Sequence, residues 1–500
     1  MDKESLLRDA IKNLELIGVV GSSSSTSSAP LILLNEMEKM VREEEIVVID
    51  NLNGGLILAV CRSGLGVNEN LKIGSYSPGV AYARSMGRSP SRAKESYHFT
   101  LSFIGLVEKD EVKPNDLIVA PGSPVYRFKG AECNPLNFLQ PSECVKGGFL
   151  TLDESWEVPF DASFIPYHIS IVGATGSGKS FLARCLIVPL LRKAGYGVLV
   201  LDWVGKDYAP YFKEEVVRIS EIELDLDSII QYILDITDNF GYLSEDNTAS
   251  NALKIALTEN IWKIIKKDYS EKPAELVKAI RNLVESKITG GKDESKLKDH
   301  EGLALRRLRE RLNTERIAEE DIKVILGDKK IEELIPSAGD LEVVDMSGVR
   351  DAVKLTLFLT LANRLMDKMQ KGNYLNLALV IDEAPQYCPY EPKGIQARTT
   401  ELIKNLCALG RKHRLCMVLI SQGMAGEIGI NAAVRRNINT WFIGQIHPLD
   451  FEEAKGRLSP YGINPERLLT LKPGVFYFTG KMNPSPTPLL ISFSTGGGGN

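Results

Sequence analysis

The chain has 500 residues, of which 44% are hydrophobic and 25% charged, a globular composition that excludes collagenous, fully disordered and disulfide-scaffold proteins. Its 60 Lys and Arg against 65 Asp and Glu give a net charge of −5. Proteins that coat nucleic acid usually carry a basic excess, so any nucleic-acid contact of this chain is expected to be local.

The cysteines and the N-terminus indicate the compartment. The seven cysteines form no CxxC pair, which favours reduced thiols over a structural zinc site, and a disulfide between Cys133 and Cys144 is left to geometry. The N-terminus carries acids where a signal peptide carries basic residues, and no apolar run reaches the roughly eighteen residues of a membrane helix. We therefore expect a soluble, cytoplasmic protein.

Residues 1–150 are predicted to form a small β-domain. Short strand-like runs recur there, separated by turn signals, in the pattern that is typical of a barrel or sandwich. The runs are residues 16–20, 31–34, 45–49, 56–60, 98–104 and 116–119. The serine-rich residues 22–28 lie between two of these runs and are interpreted as a surface loop.

From about residue 160, apolar strand-like runs alternate with helical periods, which predicts an α/β fold with a mainly parallel sheet buried on both faces. The runs are residues 168–172, 197–201, 341–345, 377–381, 415–420 and 440–444. The predicted core comprises residues 151–224 and 336–495, and residues 496–500 are expected to be a disordered tail.

Residues 225–335 are predicted to interrupt this core as a helical insertion. Apolar residues repeat there at helical spacing, first as Leu253, Leu257, Ile261 and Ile264 and then as Leu305, Leu308 and Leu312. The second helix also carries Arg306, Arg307, Arg309 and Arg311. A solvated face balanced by nearby glutamates is favoured over a nucleic-acid contact.

The strongest motif fits the P-loop pattern G-x-x-x-x-G-K-[ST] between a strand-like and a helix-compatible run. It consists of Gly173, Ala174, Thr175, Gly176, Ser177, Gly178, Lys179 and Ser180. Glycines allow backbone N–H groups to surround phosphate oxygens, and the following helix presents its N-terminus to the anion. Lys179 is expected to contact the β- and γ-phosphates and Ser180 to ligate Mg²⁺, so the expected cofactors are ATP and Mg²⁺.

Polar residues follow three further apolar strands, at the edge where open α/β sheets bind ligands. Asp382 is expected to hold the Mg²⁺ shell, Glu383 to polarise the attacking water, and Gln422 to sense the γ-phosphate. Gln422 otherwise reads as an ordinary hydrogen-bonding residue at a strand end. Asp202 either supports the metal and its water or caps the segment that follows it.

Two basic segments follow, Gly410-Arg411-Lys412-His413-Arg414 and Arg435-Arg436. An arginine supplied by a neighbouring subunit can neutralise charge that develops during phosphoryl transfer. From chemistry alone, solvated basic loops are the favoured interpretation of both segments.

Together these residues resemble the HerA group of the HerA–FtsK superfamily, over most of the chain. The N-terminal segments that look like the HAS-barrel of this group are Ile17-Gly18-Val19-Val20, residues 45–49 and 54–60, and Pro121-Gly122-Ser123-Pro124-Val125-Tyr126. The similar motor segments are the P-loop, Val200-Leu201-Asp202, the insertion, Asp382-Glu383, Gly410-Arg411-Lys412, Ser421-Gln422 and Leu471-Lys472-Pro473-Gly474.

The resemblance implies a RecA-like P-loop ATPase in a homo-hexameric ring that threads duplex DNA through a central channel and hydrolyses ATP between subunits. It makes Arg411 the best candidate for an arginine finger in trans, ahead of Arg435 and Arg436. It further implies a NurA-type nuclease partner in DNA end processing and repair.

Three departures from the family pattern indicate a divergent paralogue. They are Ala384-Pro385-Gln386 in place of Ala-His, Gly423-Met424 in place of Arg-Pro, and Lys206-Asp207 in place of Gly-Glu. Two other functions stay open from the residues: a conjugation- or secretion-type motor ATPase, and a non-motor NTP-binding switch. The net charge of −5 is compatible with a ring, because only the channel needs positive charge.

Overall fold

The structure is a computed structural model that describes residues 2–72, 78–89, 95–130, 133–223, 255, 273–313, 327 and 329–494. The strands of these residues, numbered in chain order, are β1 (Glu15–Val20), β2 (Ser28–Leu33), β3 (Ile46–Asp50), β4 (Leu56–Asn68), β5 (Glu95–Glu108), β6 (Glu111–Lys113), β7 (Pro124–Arg127), β8 (Cys144–Leu150), β9 (Asp153–Asp161), β10 (Ile169–Val172), β11 (Gly197–Asp202), β12 (Val216–Arg218), β13 (Leu341–Asp345), β14 (Leu377–Ile381), β15 (Leu415–Ser421), β16 (Thr440–Ile443), β17 (Phe476–Gly480) and β18 (Leu489–Ser492).

The α-helices of the same residues are α1 (Lys3–Ile11), α2 (Pro78–Met86), α3 (Lys179–Leu182), α4 (Val188–Lys193), α5 (Pro273–Thr289), α6 (Asp299–Arg311), α7 (Asp351–Gln370), α8 (Ile395–Gly410), α9 (Ala432–Arg435) and α10 (Phe451–Leu458). A π-helical turn, Ala183–Ile187, separates α3 from α4. None of the described helices is both long and apolar enough to cross a bilayer.

The chain divides into two compact units. The first comprises Met1–Phe164, Val172–Leu186 and Thr440–Asn500, and the second comprises Ile165–Ile171 and Ile187–Asn439. The polypeptide therefore passes from one unit to the other more than once.

A closed β-barrel forms the N-terminal part of the first unit. Its six strands are ordered β1-β7-β3-β4-β5-β2, and β2 pairs with both β1 and β5, so the sheet has no free edge; β6 is added on β5. Apolar residues such as Ile17, Val47, Ile57 and Val125 fill its core. Closure satisfies the backbone groups that an open sheet would expose. The predicted small β-barrel is confirmed.

One strand of the barrel was misplaced by the sequence pattern. The prediction of a strand over residues 116–119 is wrong: these residues have irregular backbone, and β7 lies between β1 and β3 instead. Asparagine side chains bind the backbone here, since Asn53 Nδ2 donates to Ile118 O (3.0 Å) and Asn51 Oδ1 accepts from Ala120 N (3.0 Å). These contacts replace the hydrogen bonds of a strand ladder.

The first unit also contains a five-stranded antiparallel sheet in the order β16-β17-β18-β8-β9. Phe442 and Phe478 stack on it with ring centroids 4.9 Å apart, and Phe160 lies 4.6 Å from Phe478. Strands β8 and β9 pair on either side of the boundary placed at residue 150 from the sequence. The complete set of domain boundaries stays a prediction.

The second unit is built on a sheet in the order β12-β13-β11-β14-β15-β10. The pairs β12–β13, β11–β13, β11–β14 and β14–β15 are parallel, and every residue of β11, β14 and β15 is buried. Continuous apolar strands of this kind are required where both faces of a sheet are covered. The predicted α/β fold with a mainly parallel sheet is confirmed.

Part of the predicted insertion is described. Helix α6 buries Leu305 and Leu308, and Leu312, which directly follows the helix, is buried as well, as the spacing predicts. Arg309 of the same helix forms ion pairs with Glu285 (2.9 Å) and Glu294 (2.6 Å), which supports the solvated charged face. The helix predicted around Leu253, Leu257, Ile261 and Ile264, and the tail of residues 496–500, lie outside the described residues.

Within the first unit, a buried ionic network joins the barrel to β17 and to the residue that precedes β18. Arg62, only 1% exposed, pairs with Glu44 and donates to Pro488 O at 2.5 Å. Tyr477 Oη donates to Glu44 at 2.7 Å, and Arg467 lies 3.2 Å from the same carboxylate. Burial lowers the pKa of Arg62 to about 10, so the guanidinium is still charged at neutral pH.

We expect Arg62→Met to destabilise the protein by about 3 kcal/mol, because it leaves the buried Glu44 carboxylate with less compensating charge. Urea unfolding of the variant beside the wild type measures this loss. Arg8→Ala is the matched control: it breaks the exposed pair with Glu4 and should cost less than about 1 kcal/mol. Equal effects of the two substitutions would contradict the assignment.

Candidate active site

The P-loop lies in the first unit, and its glycines are required by conformation and by close contacts. Gly176 and Gly178 have φ of +82° and +95°, in the left-handed region that favours glycine. A Cβ on Gly173 would lie 2.5 Å from Ser177 Oγ, and one on Gly178 would lie 3.0 Å from Gly474 N. Gly474 N donates to Ser177 O (2.9 Å), so the segment before β17 supports the loop.

The polar groups of this loop fit a bound triphosphate. Lys179 Nζ donates to Ala174 O (3.1 Å), which places the ammonium along the loop. Ser177 Oγ is buried, and within the described part of the chain it has no hydrogen-bond partner. Thr175 and Gly176 are exposed. A loop with this shape, followed by helical residues, can surround phosphate oxygens with N–H donors.

The register of the parallel strands in the second unit places three acidic residues at one edge of the sheet. Asp202 pairs in register with Asp345, and Leu201 pairs with Ile381, the residue before Asp382. Asp382 is 3% exposed. Its pKa is raised to about 7, chiefly by burial and then by the charges of Asp207, Glu383 and Asp202.

This edge suits a divalent cation, because a cation would offset the burial and the neighbouring negative charges that raise the pKa of Asp382. Within the described residues, no cluster of three or more His, Cys, Asp or Glu side chains is arranged to hold a metal ion. Mg²⁺ in nucleotide sites is typically held by one or two carboxylates together with waters and substrate phosphates.

The structure brings Glu383 and Gln422 together, although the sequence assigns them separate roles. Gln422 Nε2 donates to Glu383 Oε1 at 2.9 Å. Glu383 has φ of 49° and ψ of 47°, a left-handed conformation that is uncommon for a residue with a side chain. Backbone strain of this kind, about 1–3 kcal/mol, concentrates at functional sites. The amide therefore orients the carboxylate that follows Asp382.

Asp202 acts as a backbone cap in this structure. Its Oδ1 accepts from Gly205 N (2.9 Å), and its Oδ2 accepts from Tyr208 N (2.9 Å) and Ala209 N (3.0 Å). Three N–H donors satisfy the carboxylate, as in capping turns. Of the two roles left open by the sequence, the geometry favours the cap.

An aromatic cluster that sequence reasoning missed supports this edge. The buried Tyr387 ring lies 5.0 Å from Trp203 and 5.2 Å from Phe358, and its Oη contacts Met346 Sδ at 3.1 Å. Lys354 Nζ donates to Trp203 O (2.9 Å) and lies 4.4 Å from the Trp203 ring centroid. The available signal was an aromatic residue shortly after each of the acidic strand ends Asp202 and Asp382.

The predicted arginines lie at or directly after the C-terminal ends of α8 and α9, in the second unit. Arg411 begins a 3₁₀ turn directly after α8 and is exposed, with its guanidinium carbon 4.6 Å from the centroid of Tyr167. Arg435 ends α9 and is half-buried, and Arg436 follows it and is exposed.

All seven cysteines, including Cys133 and Cys144, are free thiols.

We expect Asp202→Asn to lower the free energy of unfolding by about 1–3 kcal/mol, because an amide cannot accept all three backbone hydrogen bonds. Thermal unfolding and titration with a fluorescent ATP analogue measure stability and nucleotide binding separately. Asp345→Asn is the matched control, since Asp345 accepts one backbone hydrogen bond, from Ser347 N. Unchanged stability with weakened Mg²⁺-dependent binding would instead assign Asp202 to the metal.

The comparisons with known proteins are uneven along the chain. Residues 145–365 match the family model described as "Helicase HerA, central domain". No curated protein matches the sequence significantly.

Several solved structures are similar to the chain at low identity. VirB4 of Thermoanaerobacter pseudethanolicus is 14% identical with a TM-score of 0.48, over 71% of this chain and 97% of that one. The bacterial conjugative coupling protein TrwB is 16% identical with a TM-score of 0.43, over 68% and 87%. The genome packaging NTPase B204 from Sulfolobus turreted icosahedral virus 2, in complex with AMPPCP, is 12% identical with a TM-score of 0.31, over 66% and 99%.

The family match spans β8 to α7 and includes the whole P-loop. It covers somewhat less than half of the chain, and it agrees with the resemblance that the motifs indicate. Residues 145–365 are therefore similar to the central domain of HerA-type helicases.

Proposed function

We propose that this protein is an ATP-driven motor that translocates duplex DNA through a homo-hexameric ring. The observation that carries the proposal is the hydrogen bond from Gln422 to Glu383 beside the buried Asp382. A structural P-loop-like turn has no need of a strained, oriented carboxylate at the edge of a parallel sheet. Hydrolysis of a bound nucleotide needs one, because a water molecule must be held and deprotonated.

Each residue has a role that follows from its own surroundings. The backbone N–H groups of residues 173–180 and the ammonium of Lys179 bind the β- and γ-phosphates. Ser180 and Asp382 are the groups that would ligate Mg²⁺, which neutralises phosphate charge when bound. Glu383 accepts a proton from the attacking water as its oxygen bonds to the γ-phosphorus, while the bond from that phosphorus to the bridging oxygen breaks and ADP leaves with this oxygen. Gln422 holds the Glu383 carboxylate.

The support for the proposed ring and its partners comes from the resemblance to the HerA group. Duplex DNA as cargo, a hexamer with ATP at subunit boundaries, Arg411 as the finger in trans, and a NurA-type nuclease in DNA end processing are what the similarity of residues 145–365 and of the motifs to the HerA group supports. The overall charge of −5 requires that basic residues which contact DNA be concentrated locally.

We expect Glu383→Gln to bind ATP normally but to lower turnover by about 10²–10⁴-fold, because the amide cannot accept the proton. Lys179→Ala should lose both binding and turnover. Phosphate release and equilibrium binding of a fluorescent ATP analogue separate the two outcomes. Turnover retained by Lys179→Ala would refute the P-loop assignment, and full turnover of Glu383→Gln would remove Glu383 from the reaction.

We expect duplex DNA to stimulate ATP hydrolysis by a ring-shaped oligomer, and the stimulation to fall steeply as salt rises. Hydrolysis rates with and without duplex DNA, combined with light scattering in the presence of an ATP analogue, measure both properties. A monomer with one slow turnover would indicate a non-motor switch. DNA-independent hydrolysis without DNA binding would exclude the translocase while leaving the ATPase.

A further inference from the structure

The start of β10 is tied to the segment that carries Arg411. Tyr167 and His168 directly precede β10, and the Arg411 turn joins α8 to β15, which is the neighbour of β10 in the sheet. All of these residues belong to the second unit. The contacts between them fix the surroundings of Arg411.

His168 fastens both ends of the Arg411 turn. Its Nδ1 accepts from Met417 N (3.1 Å), so its Nε2 carries the proton and donates to Cys407 O (2.7 Å). The ring is 1% exposed, and burial lowers its pKa to about 4, so it is neutral at physiological pH. His168 has a φ of +67°, so the chain turns directly before β10.

Arg411 is one of two arginines in this segment whose guanidinium lies beside a tyrosine ring. His413 Nδ1 contacts Asn373 O at 2.9 Å, and the guanidinium of Arg414 lies 5.4 Å from the ring centroid of the buried Tyr196. Arg411 is exposed, and within the described residues its side chain forms no ion pair or hydrogen bond. Its guanidinium carbon lies 4.6 Å from the centroid of the Tyr167 ring.

Stacking of this kind leaves an arginine available to an anion. The guanidinium uses its flat face on the ring, while its five N–H donors point outward in the plane. Phosphate oxygens are bound at that edge, often by two parallel hydrogen bonds. An exposed arginine otherwise loses rotamer freedom when it is fixed, and a stacked arginine is already restricted.

We propose that Tyr167 is a positioning residue for Arg411, which it holds with the N–H edge oriented toward a phosphate of the ATP bound by a neighbouring subunit. This inference rests on the proposed function. Tyr167 also lies a few residues before its own P-loop, so a rival role is support of that loop in the same subunit. The two roles differ in which subunit of a pair loses activity.

The first measurement compares the ATPase of single variants. We expect Tyr167→Leu to lower kcat about three- to tenfold with little change in KM, which corresponds to roughly 0.7–1.4 kcal/mol, the size of a cation–π contact. Tyr167→Phe keeps the ring and should retain most of the turnover. Tyr374→Leu makes the same change at a tyrosine that is 69% exposed and should match the wild type. An unaltered kcat in Tyr167→Leu would overturn the inference.

A double-mutant cycle adds a readout that leaves Tyr167 intact in one arm. Arg411→Lys keeps the charge but loses the flat face, and it should lower kcat in the wild-type background and much less in the Tyr167→Leu background. Additive losses would show that the two residues act separately. If Tyr167→Leu does not fold, as judged by thermal unfolding, the cycle is run with Tyr167→Gln.

Mixed rings then decide between the two roles. Lys179→Ala subunits have a defective P-loop but an intact Tyr167 and Arg411, and differently tagged subunits that copurify establish that mixed rings form. Turnover per Tyr167→Leu subunit should rise toward the wild-type value when Lys179→Ala subunits are added. The parallel mixture of Arg411→Ala with Lys179→Ala tests the finger in trans itself.

The outcomes are distinct. Rescue of Arg411→Ala without rescue of Tyr167→Leu would overturn the inference, because Tyr167 would then support its own P-loop, and the proposed motor would stand. No rescue of Arg411→Ala would remove the finger in trans and the inference with it. A wild-type protein without ATPase activity would refute the proposed function before either mixture is made.

Discussion

Burial of a carboxylate at the acidic edge of the parallel sheet is the constraint on which the rest of this candidate active site depends. The register of β11, β13 and β14 is fixed by strands that are apolar along their length and buried on both faces. That register places Asp202, Asp345 and Asp382 at the same level, at one edge of the sheet. Burial then makes the charged form of Asp382 costly, and its pKa rises to about 7.

The carboxylates at this edge have different hydrogen-bond partners. Asp202 is satisfied by three backbone N–H groups, and Glu383 is held by the amide of Gln422. The pKa of Asp382 is raised by burial and by the neighbouring charges, although a backbone hydrogen bond from Glu383 opposes the rise. A carboxylate left in this condition gains most from a cation, which is the property that a magnesium-dependent hydrolase needs at this position.

The P-loop and the acidic edge, to which the proposed hydrolysis is assigned, are stabilised by different contacts. The P-loop is shaped by glycines with positive φ and by contact with the Gly474 segment, all within the first unit. The acidic edge is shaped by strand register and by the cluster of Trp203, Tyr387 and Lys354 in the second. One departure from the family pattern falls beside this cluster, since Ala384-Pro385-Gln386 forms the 3₁₀ turn that directly precedes Tyr387.

Sequence alone determined the features that depend on neighbours along the chain. Strand periodicity predicted β11, β13, β14 and β15 to within a residue or two, and the P-loop is a local motif whose glycines are recognisable without a fold. The barrel was predicted as a class, but residues 116–119 were misjudged because the asparagines that bind their backbone come partly from residues 51 and 53. Apolar composition indicates a strand and contains no information about such distant partners.

Only the tertiary structure decided which polar groups meet. The Gln422–Glu383 bond joins residues 39 positions apart, and the His168 ring reaches Cys407 over 239 positions. The cap role of Asp202 and the stacking of Arg411 on Tyr167 belong to the same category. Hydrogen bonds and cation–π contacts require distances of a few ångströms, and in a parallel sheet those distances are set by strand order, which local patterns leave open.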